Sequence, residues 1–365
     1  MLDPAASRSR GQSPAPRFLF IPVSGAFGLG EYARSLAIAQ AARQRWPDAG
    51  IHFILSRQAP YASSTPFPAT LLASSPTFHS AAVIESLDEF RPDVVIFDNA
   101  GRTAQLRAAQ RTGARVVYIS ARSRQRRKAF RLSWMRLIDE HWIAYPEFIA
   151  GHPTFLERFK LDVLRRPVIR YLDVILSRAG DPQQDSILAR VGCKAGTYVL
   201  VVPGGGTGHP RARDAALTFL TAASALADRG TATVFVGPGA AAGSTSGPHL
   251  RCIDSLPQPK LAALMRGARL VIANGGSTLL QAIACGSACI AVPIAHDQAE
   301  RIRRCVDAAV ALAATLDAAN ILQTSTGLLQ NEERRAALAR RAADLALADG
   351  VEVAMQALAR LVETK

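Results

Sequence analysis

Residues 271–301, VIANGGSTLLQAIACGSACIAVPIAHDQAER, decide how this chain is read. An apolar strand at 271–273 runs into Asn274, Gly275, Gly276, Ser277 and Thr278, which open a short helix ending at Gly286. A second apolar strand follows at 288–292, and Pro293 leads into His296, Asp297 and Gln298. A glycine pair at a helix start lets backbone N–H groups and the positive helix end approach phosphate oxygens closely. The polar triplet follows the next strand, so both segments are expected at the carboxyl edge of one parallel sheet, where open α/β sheets bind ligands.

The rest of the chain carries the same rhythm twice. In the first half, strands at 17–23, 51–55, 94–97, 116–119 and 142–144 alternate with helices near 31–44, 80–90 and 103–111. The Pro/Ser-rich stretch 58–78 reads as one long loop, of the kind that is often functional. Residues 165–196 break the rhythm, and it restarts with a strand at 198–202, a glycine loop, a helix at 212–228 and a strand at 233–236. A short strand at 250–253, a helix at 260–266 and the opening segment follow, and helices near 332–347 and 351–362 close the chain. Strand–helix alternation of this kind predicts doubly wound parallel sheets. The expected division is a disordered leader (1–16), an acceptor-side domain (17–175), a donor-binding domain (176–349) and a last segment (350–365) whose helix crosses back, with Gly350 permitting the kink.

Composition narrows the class. The chain has 365 residues and a formal net charge of +14. No stretch reaches the roughly 18 apolar residues of a membrane span, and the polar start lacks the apolar core of a secretory signal. The five cysteines (Cys193, Cys252, Cys285, Cys289, Cys305) form no CxxC pair and have no histidine at zinc spacing. They read as reduced, mostly buried thiols of a cytoplasmic protein, and no metal or cofactor is expected.

A phosphate cradle beside hydroxyl-binding side chains suits a sugar nucleotide. The segment 271–301 resembles the donor-binding region of GT-B glycosyltransferases, in particular the group of the peptidoglycan N-acetylglucosaminyltransferase and the galactosyl-diacylglycerol synthases (a family 28-like C-terminal domain). Gly275, Gly276, Thr278, Ala284, Gly286, Pro293, Asp297 and Gln298 fit that pattern, while the ribose-binding Glu of the group falls on Gln281. The resemblance implies two Rossmann-like domains facing a cleft. It implies donor contacts from Gly275, Gly276, Ser277, Thr278, Gln281, His296, Asp297 and Gln298, with Asp297 and Gln298 holding sugar hydroxyls. It also implies contacts from the loop Gly205, Gly206, Thr207, from Gly237 beneath the nucleotide base, and from the backbone around Leu256. The loop 204–209 breaks the dehydrogenase fingerprint at His209 and lacks the lysine of a P-loop. Retaining GT-B enzymes carry two glutamates eight positions apart in the donor segment; Gln281 and Cys289 stand there, which favours an inverting displacement on UDP- or dTDP-sugar without an obligatory metal.

In the first domain, relatives show Gly-x-Gly-His-x-x-Arg. Gly28, Gly30 and Arg34 match, and Glu31 takes the place of the histidine. Two carboxylates are candidates for the base. Glu31 is either a base activated by desolvation or a helix-start residue favouring the dipole. Asp98, in FDNAGR, either points into the cleft from a buried strand or caps the next helix.

Seven positive charges lie within fifteen residues, Arg122 to Arg136, interleaved with Phe130, Trp134, Leu137 and Ile138. Three readings stand. Arg124, Arg126 and Arg127 meet an anionic membrane on the inner face of the cytoplasmic membrane, or grip phosphates of a lipid-linked or envelope glycan acceptor, or form a solvated face over an apolar stripe packed on the sheet. Nucleic acid is not expected, because no recognisable nucleic-acid module accompanies the charge. The rival functions are a sugar-nucleotide hydrolase or epimerase on the same scaffold, and a degenerate GT-B protein that binds without turnover.

Overall fold

The structure is a computed structural model and describes residues 15–26, 29–176, 181–204, 212–238 and 247–363. The amino half holds β1 (Arg17–Pro22), α1 (Gly30–Arg45), β2 (Gly50–Ser56), β3 (Ala69–Leu72), α2 (Ser80–Phe90), β4 (Val94–Asp98) and α3 (Thr103–Arg111). It continues with β5 (Arg115–Ser120), α4 (Ser123–Ala129), α5 (Leu132–Met135), β6 (Glu140–Ile143), α6 (Glu147–Ala150), α7 (Phe155–Leu164) and β7 (Val168–Tyr171). The carboxyl half holds α8 (Asp181–Val191), β8 (Val199–Val202), α9 (Ala212–Asp228), β9 (Thr233–Val236), β10 (Leu250–Ile253), α10 (Gln258–Gly267) and β11 (Leu270–Asn274). After these come α11 (Ser277–Ala284), β12 (Cys289–Val292), α12 (His296–Asp307), β13 (Leu312–Ala313), α13 (Ala318–Gln330), α14 (Glu332–Asp344) and α15 (Gly350–Glu363).

The strands form two sheets with parallel pairing, ordered β3-β2-β1-β4-β5-β6-β7 and β10-β9-β8-β11-β12-β13. Central strands are apolar on both faces because helices cover both: Phe18–Ile21, Val94–Phe97 and Leu270–Ala273 are closed to solvent. In each sheet the order turns back beside its first strand, between β1 and β4 and between β8 and β11. Ligand crevices form at such switch points, outside the carboxyl ends of the strands.

The chain departs from its sequence reading in several places, and α6, α7 and α8 fill stretches read without an element. The stretch read as a loop, 58–78, contains β3, an edge strand that buries only Leu72 and so leaves no alternating pattern. Edge strand β7 lies in the stretch read as a break in rhythm, and none of its four residues is fully buried. Helix α12 starts at His296, in the polar triplet, and α13 fills a region left without an element. The basic stretch forms two short helices, and its apolar stripe packs inward: Phe130, Trp134, Leu137 and Ile138 are all buried.

At its end the chain returns to the first sheet. Ala354, Ala357, Leu358 and Leu361 of α15 join the core formed by Ile38, Ala39, Trp142 and Leu172. Gly350 turns the chain there, its N–H donating to the Val174 carbonyl at 2.8 Å. A Cβ at this position would overlap the Leu172 carbonyl oxygen, so only glycine fits. All five cysteines are free thiols, with Cys289 and Cys305 buried; burial pushes the Cys305 thiol up to about 12.

Candidate functional site

In the second domain, Asn274 ends β11 at the switch point. Its Nδ2 donates to the Pro203 carbonyl at 2.6 Å, across the β8–β11 gap, and its Oδ1 accepts from the Gly276 N–H at 2.8 Å. These bonds shape the turn that opens α11. Gly276 is the N-cap of α11 and offers no side chain to its first N–H groups, leaving them and the helix dipole for an anion. Ser277 is exposed and Thr278 half-buried in that first turn.

Helix α12 packs directly under the turn. A Cβ on Gly275 would lie 2.6 Å from Ile302 Cδ1 and 2.9 Å from Gln298 Cβ, so the glycine is required by close approach. Gln298 is buried, its Oε1 accepting from the Ile294 N–H at 2.9 Å; its Nε2 has no hydrogen-bond partner among the described residues. Arg301 donates through Nη1 to the Gly275 carbonyl at 2.5 Å and through Nη2 to the Tyr145 hydroxyl of the first domain at 3.1 Å. The guanidinium also stacks 4.6 Å above the Tyr145 ring. His296 and Asp297 are exposed in the first turn of α12, and Asp297 pairs with Arg301 at 3.7 Å. The Gly237 N–H donates to the Ile253 carbonyl at the end of β10 at 2.9 Å, and Leu256 is half-buried three residues beyond Ile253. Gln281 reaches away from the turn: its Nε2 donates to the Ile175 carbonyl, in the segment joining the domains, at 3.1 Å. Gly205, Gly206, Thr207 and, on the other side, Gly28 lie outside the described residues.

On the facing side, the two carboxylates have different surroundings. Asp98 is fully buried at the end of β4. Arg34 grips it bidentately, Nε to Oδ2 at 2.9 Å and Nη2 to Oδ1 at 2.6 Å, and the Ser35 hydroxyl adds a longer bond at 3.4 Å. Burial pushes the Asp98 carboxyl up to about 6, with Arg34 and Ser35 opposing the rise. Its side chain neither opens to solvent nor caps α3, whose N-cap is Arg102. Glu31 occupies the first turn of α1 and makes no capping bond there. It accepts from Asn99 Nδ2 at 2.9 Å and lies 3.6 Å from the Arg122 guanidinium. The Asn99 amide is oriented by its other end, because Oδ1 accepts from the Ala121 N–H at 2.8 Å. Asn99 takes a left-handed backbone with φ of 53°, which asparagine tolerates. Gly30 faces open space.

Between the domains lies a cavity of about 520 Å³, lined by Arg122, Arg126 and Arg127 from one side and by Asp297, Arg301 and Arg304 from the other. Arg126 is turned inward, donating to the Ala150 and Gly151 carbonyls at 2.6 and 2.7 Å and pairing with Glu157 at 3.7 Å. Arg304 donates to the Ile149 carbonyl at 2.6 Å, a second bond from α12 to the first domain. Arg124 and Arg127 are exposed. The sequence reading passed over Asn99, Tyr145, Arg301 and Arg304. Asn99 stands beside Asp98 in FDNAGR and was within reach; the other three had no signal, since their partners lie more than a hundred residues away.

No protein-family model and no curated protein matches the chain. Solved structures do match. The glycosyltransferase VinC in complex with dTDP is 14% identical with a TM-score of 0.67, covering 96% of this chain and 100% of that one. The spinosyn forosaminyltransferase SpnP is 14% identical with a TM-score of 0.65, over 96% and 100%. A UDP-glucosyltransferase from Polygonum tinctorium is 13% identical with a TM-score of 0.65, over 97% and 100%. With two parallel-sheet α/β domains facing a cleft and overlays spanning nearly the whole chain, the protein has the GT-B fold.

Proposed function

We propose that the chain is an inverting glycosyltransferase that moves a hexose-like sugar from a UDP- or dTDP-sugar to an acceptor hydroxyl held in the interdomain cleft. The observation that carries this reading is the uncapped start of α11 at the switch point of the second sheet, with the buried Gln298 of α12 packed against the turn. The likeness to glycosyltransferase structures, one of them in complex with dTDP, supports it.

In this reading the N–H groups of Ser277 and Thr278 and the Thr278 hydroxyl bind the diphosphate, and Asp297 and the Gln298 amide orient the sugar. Glu31 takes the proton from the acceptor hydroxyl, the acceptor oxygen bonds to the anomeric carbon from the face opposite the leaving group, and the bond to the diphosphate breaks. Negative charge developing on the diphosphate is stabilised by the dipole and N–H groups of α11, without an obligatory metal. Asn99 and Arg122 position Glu31. Asp98 acts one layer behind, fixing Arg34 and through it the start of α1. The arginines of the cavity suit an acceptor with an anionic group, such as a lipid-linked or envelope glycan.

The test is a calorimetric titration with UDP, dTDP, GDP and CMP, followed by turnover on sugars of the preferred nucleotide. Preference for UDP or dTDP and acceptor-dependent release of that diphosphate are expected, and Glu31→Gln should lower turnover by about 10²-fold or more while leaving donor binding intact. Release of free sugar without acceptor would assign a hydrolase instead, a reading that Glu31 in the histidine position favours. Donor binding with no product from any acceptor would leave a binding protein.

A further inference from the structure

Helix α7 carries an apolar face that no described residue covers. Phe155 is 77% exposed, Leu156 66%, Phe159 59% and Val163 64%, and the helix has no buried residue. Spacings of four residues align Phe155, Phe159 and Val163, and Leu156 falls on the same third of the helix surface. Two side-chain contacts nonetheless tie the capped helix to the rest of the domain. Thr154 and Glu157 form a capping box at its start, Glu157 pairs with Arg126, and Lys160 Nζ donates to the Phe130 carbonyl at 3.3 Å. These bonds leave the apolar side outward. An ordered helix that turns two phenylalanines to water marks an interaction surface.

We propose that α7 docks the chain on an anionic lipid surface. Charge around the helix selects this occupant. Residues 122–166 hold eleven Lys or Arg against five Asp or Glu. Arg124, Arg127, Arg131, Arg158 and Arg165 are exposed, and none has a carboxylate partner among the described residues. Four of the acids are engaged, Asp139 by Arg115 and Arg166, Glu140 by Arg170, Glu147 by His152 and Glu157 by Arg126, while Asp162 is exposed on α7 itself. Leu132, 49% exposed and two residues from the Phe130 carbonyl that Lys160 holds, extends the apolar patch toward the arginines. A second copy of the chain fits less well, because a two-fold contact would bring the same arginines against each other. An apolar ridge flanked by arginines suits a bilayer interface, where the ridge enters the acyl boundary and the guanidinium groups meet lipid phosphates.

Docking has a consequence for access. Thr154 and Glu157 of this segment also line the interdomain cavity, so a docked α7 holds the mouth of the cavity at the lipid surface. The basic stretch singled out in the sequence thus supplies the charge, and the apolar face comes from a helix twenty residues further on. The docking itself does not depend on the transfer reaction.

The experiment is flotation of the full chain with phosphatidylcholine vesicles, with and without about a third of phosphatidylglycerol. The wild-type chain is expected to float with the anionic vesicles, less so at high salt. Phe155→Ser with Phe159→Ser should weaken binding by at least about tenfold, and Arg124→Gln with Arg131→Gln by about fivefold per arginine. All four side chains are exposed, and an unchanged thermal transition and nucleotide titration verify that each variant is folded. Failure of the wild type to float at low salt would overturn the proposal, as would wild-type flotation of the phenylalanine variant. Equal binding to neutral vesicles would overturn the anionic assignment. A wild-type dimer that the phenylalanine variant converts to monomer without lipid would give the face to a second copy.

Discussion

Gly275→Ala tests the close contact between the turn that opens α11 and α12. The added methyl would lie 2.6 Å from Ile302 Cδ1, 2.7 Å from Ile302 Cγ1 and 2.9 Å from Gln298 Cβ. Relief by moving α12 is restricted, because Arg301 holds it to the Gly275 carbonyl and Arg304 holds it to Ile149. Overpacking of this kind costs about 1–3 kcal/mol, and the loss of glycine's unfolded-state freedom returns about 0.4–1 kcal/mol, so a net loss of about 1–2 kcal/mol is expected. Ile302→Val removes Cδ1 at a cost of about 0.5–1.5 kcal/mol alone. In the double variant the tightest overlap is gone while those with the γ-carbon of residue 302 and with Gln298 remain, so the losses should fall short of additivity by about 0.5 kcal/mol. Because Gly275 sets the start of α11, Gly275→Ala should also weaken nucleoside diphosphate binding by about tenfold, with partial recovery in the double variant. Urea denaturation followed by near-ultraviolet circular dichroism, and calorimetric titration with UDP and dTDP, read the two effects. Additive losses, or a Gly275→Ala chain with wild-type stability and affinity, would refute the argument.

Thr278→Ala should cost about 1.5–3 kcal/mol in affinity for free nucleoside diphosphate, the worth of one hydrogen bond to a charged group; unchanged titration would count against the phosphate cradle. Gln281→Glu replaces the donor facing the Ile175 carbonyl with an acceptor, and should lower stability by about 1–3 kcal/mol. Nucleotide affinity should hold or improve in that variant if the position meets the ribose, so thermal melts and titrations separate the two roles, and a stability gain would refute the structural one. Burial raises the Asp98 carboxyl from 3.8 to about 6 in the folded chain, so the folded state retains this proton where the unfolded chain has lost it. The stabilisation is complete below about pH 4 and is lost as pH rises through about 6, a change of about 3 kcal/mol. The stability difference between wild type and Asp98→Asn should shift by that amount over the window, and a difference independent of pH would exclude it.

The sequence by itself determined the two parallel sheets and the place of the glycine turn that opens α11. Runs such as Val94–Phe97 and Leu270–Ala273 carry their burial in their composition, and glycines at a helix start mark a turn whatever the surroundings. The edge strands β3 and β7 were not legible, because a strand paired on one side buries too little to impose a pattern. Tertiary structure alone decided what each polar residue faces. Asp98 and Glu31 look alike in the sequence as carboxylates beside the first switch point. Only the folded chain closes Arg34 around the one and leaves the other to Asn99 and Arg122. The same holds for the basic stretch: helical spacing among Phe130, Trp134 and Ile138 is equally good for a membrane face or a sheet face, and packing chose the sheet. The apolar face left outward belongs to α7, because its inner side is held by one hydrogen bond and one ion pair to residues distant in sequence. Contacts of that kind depend on which elements the fold brings together, and no local pattern encodes them.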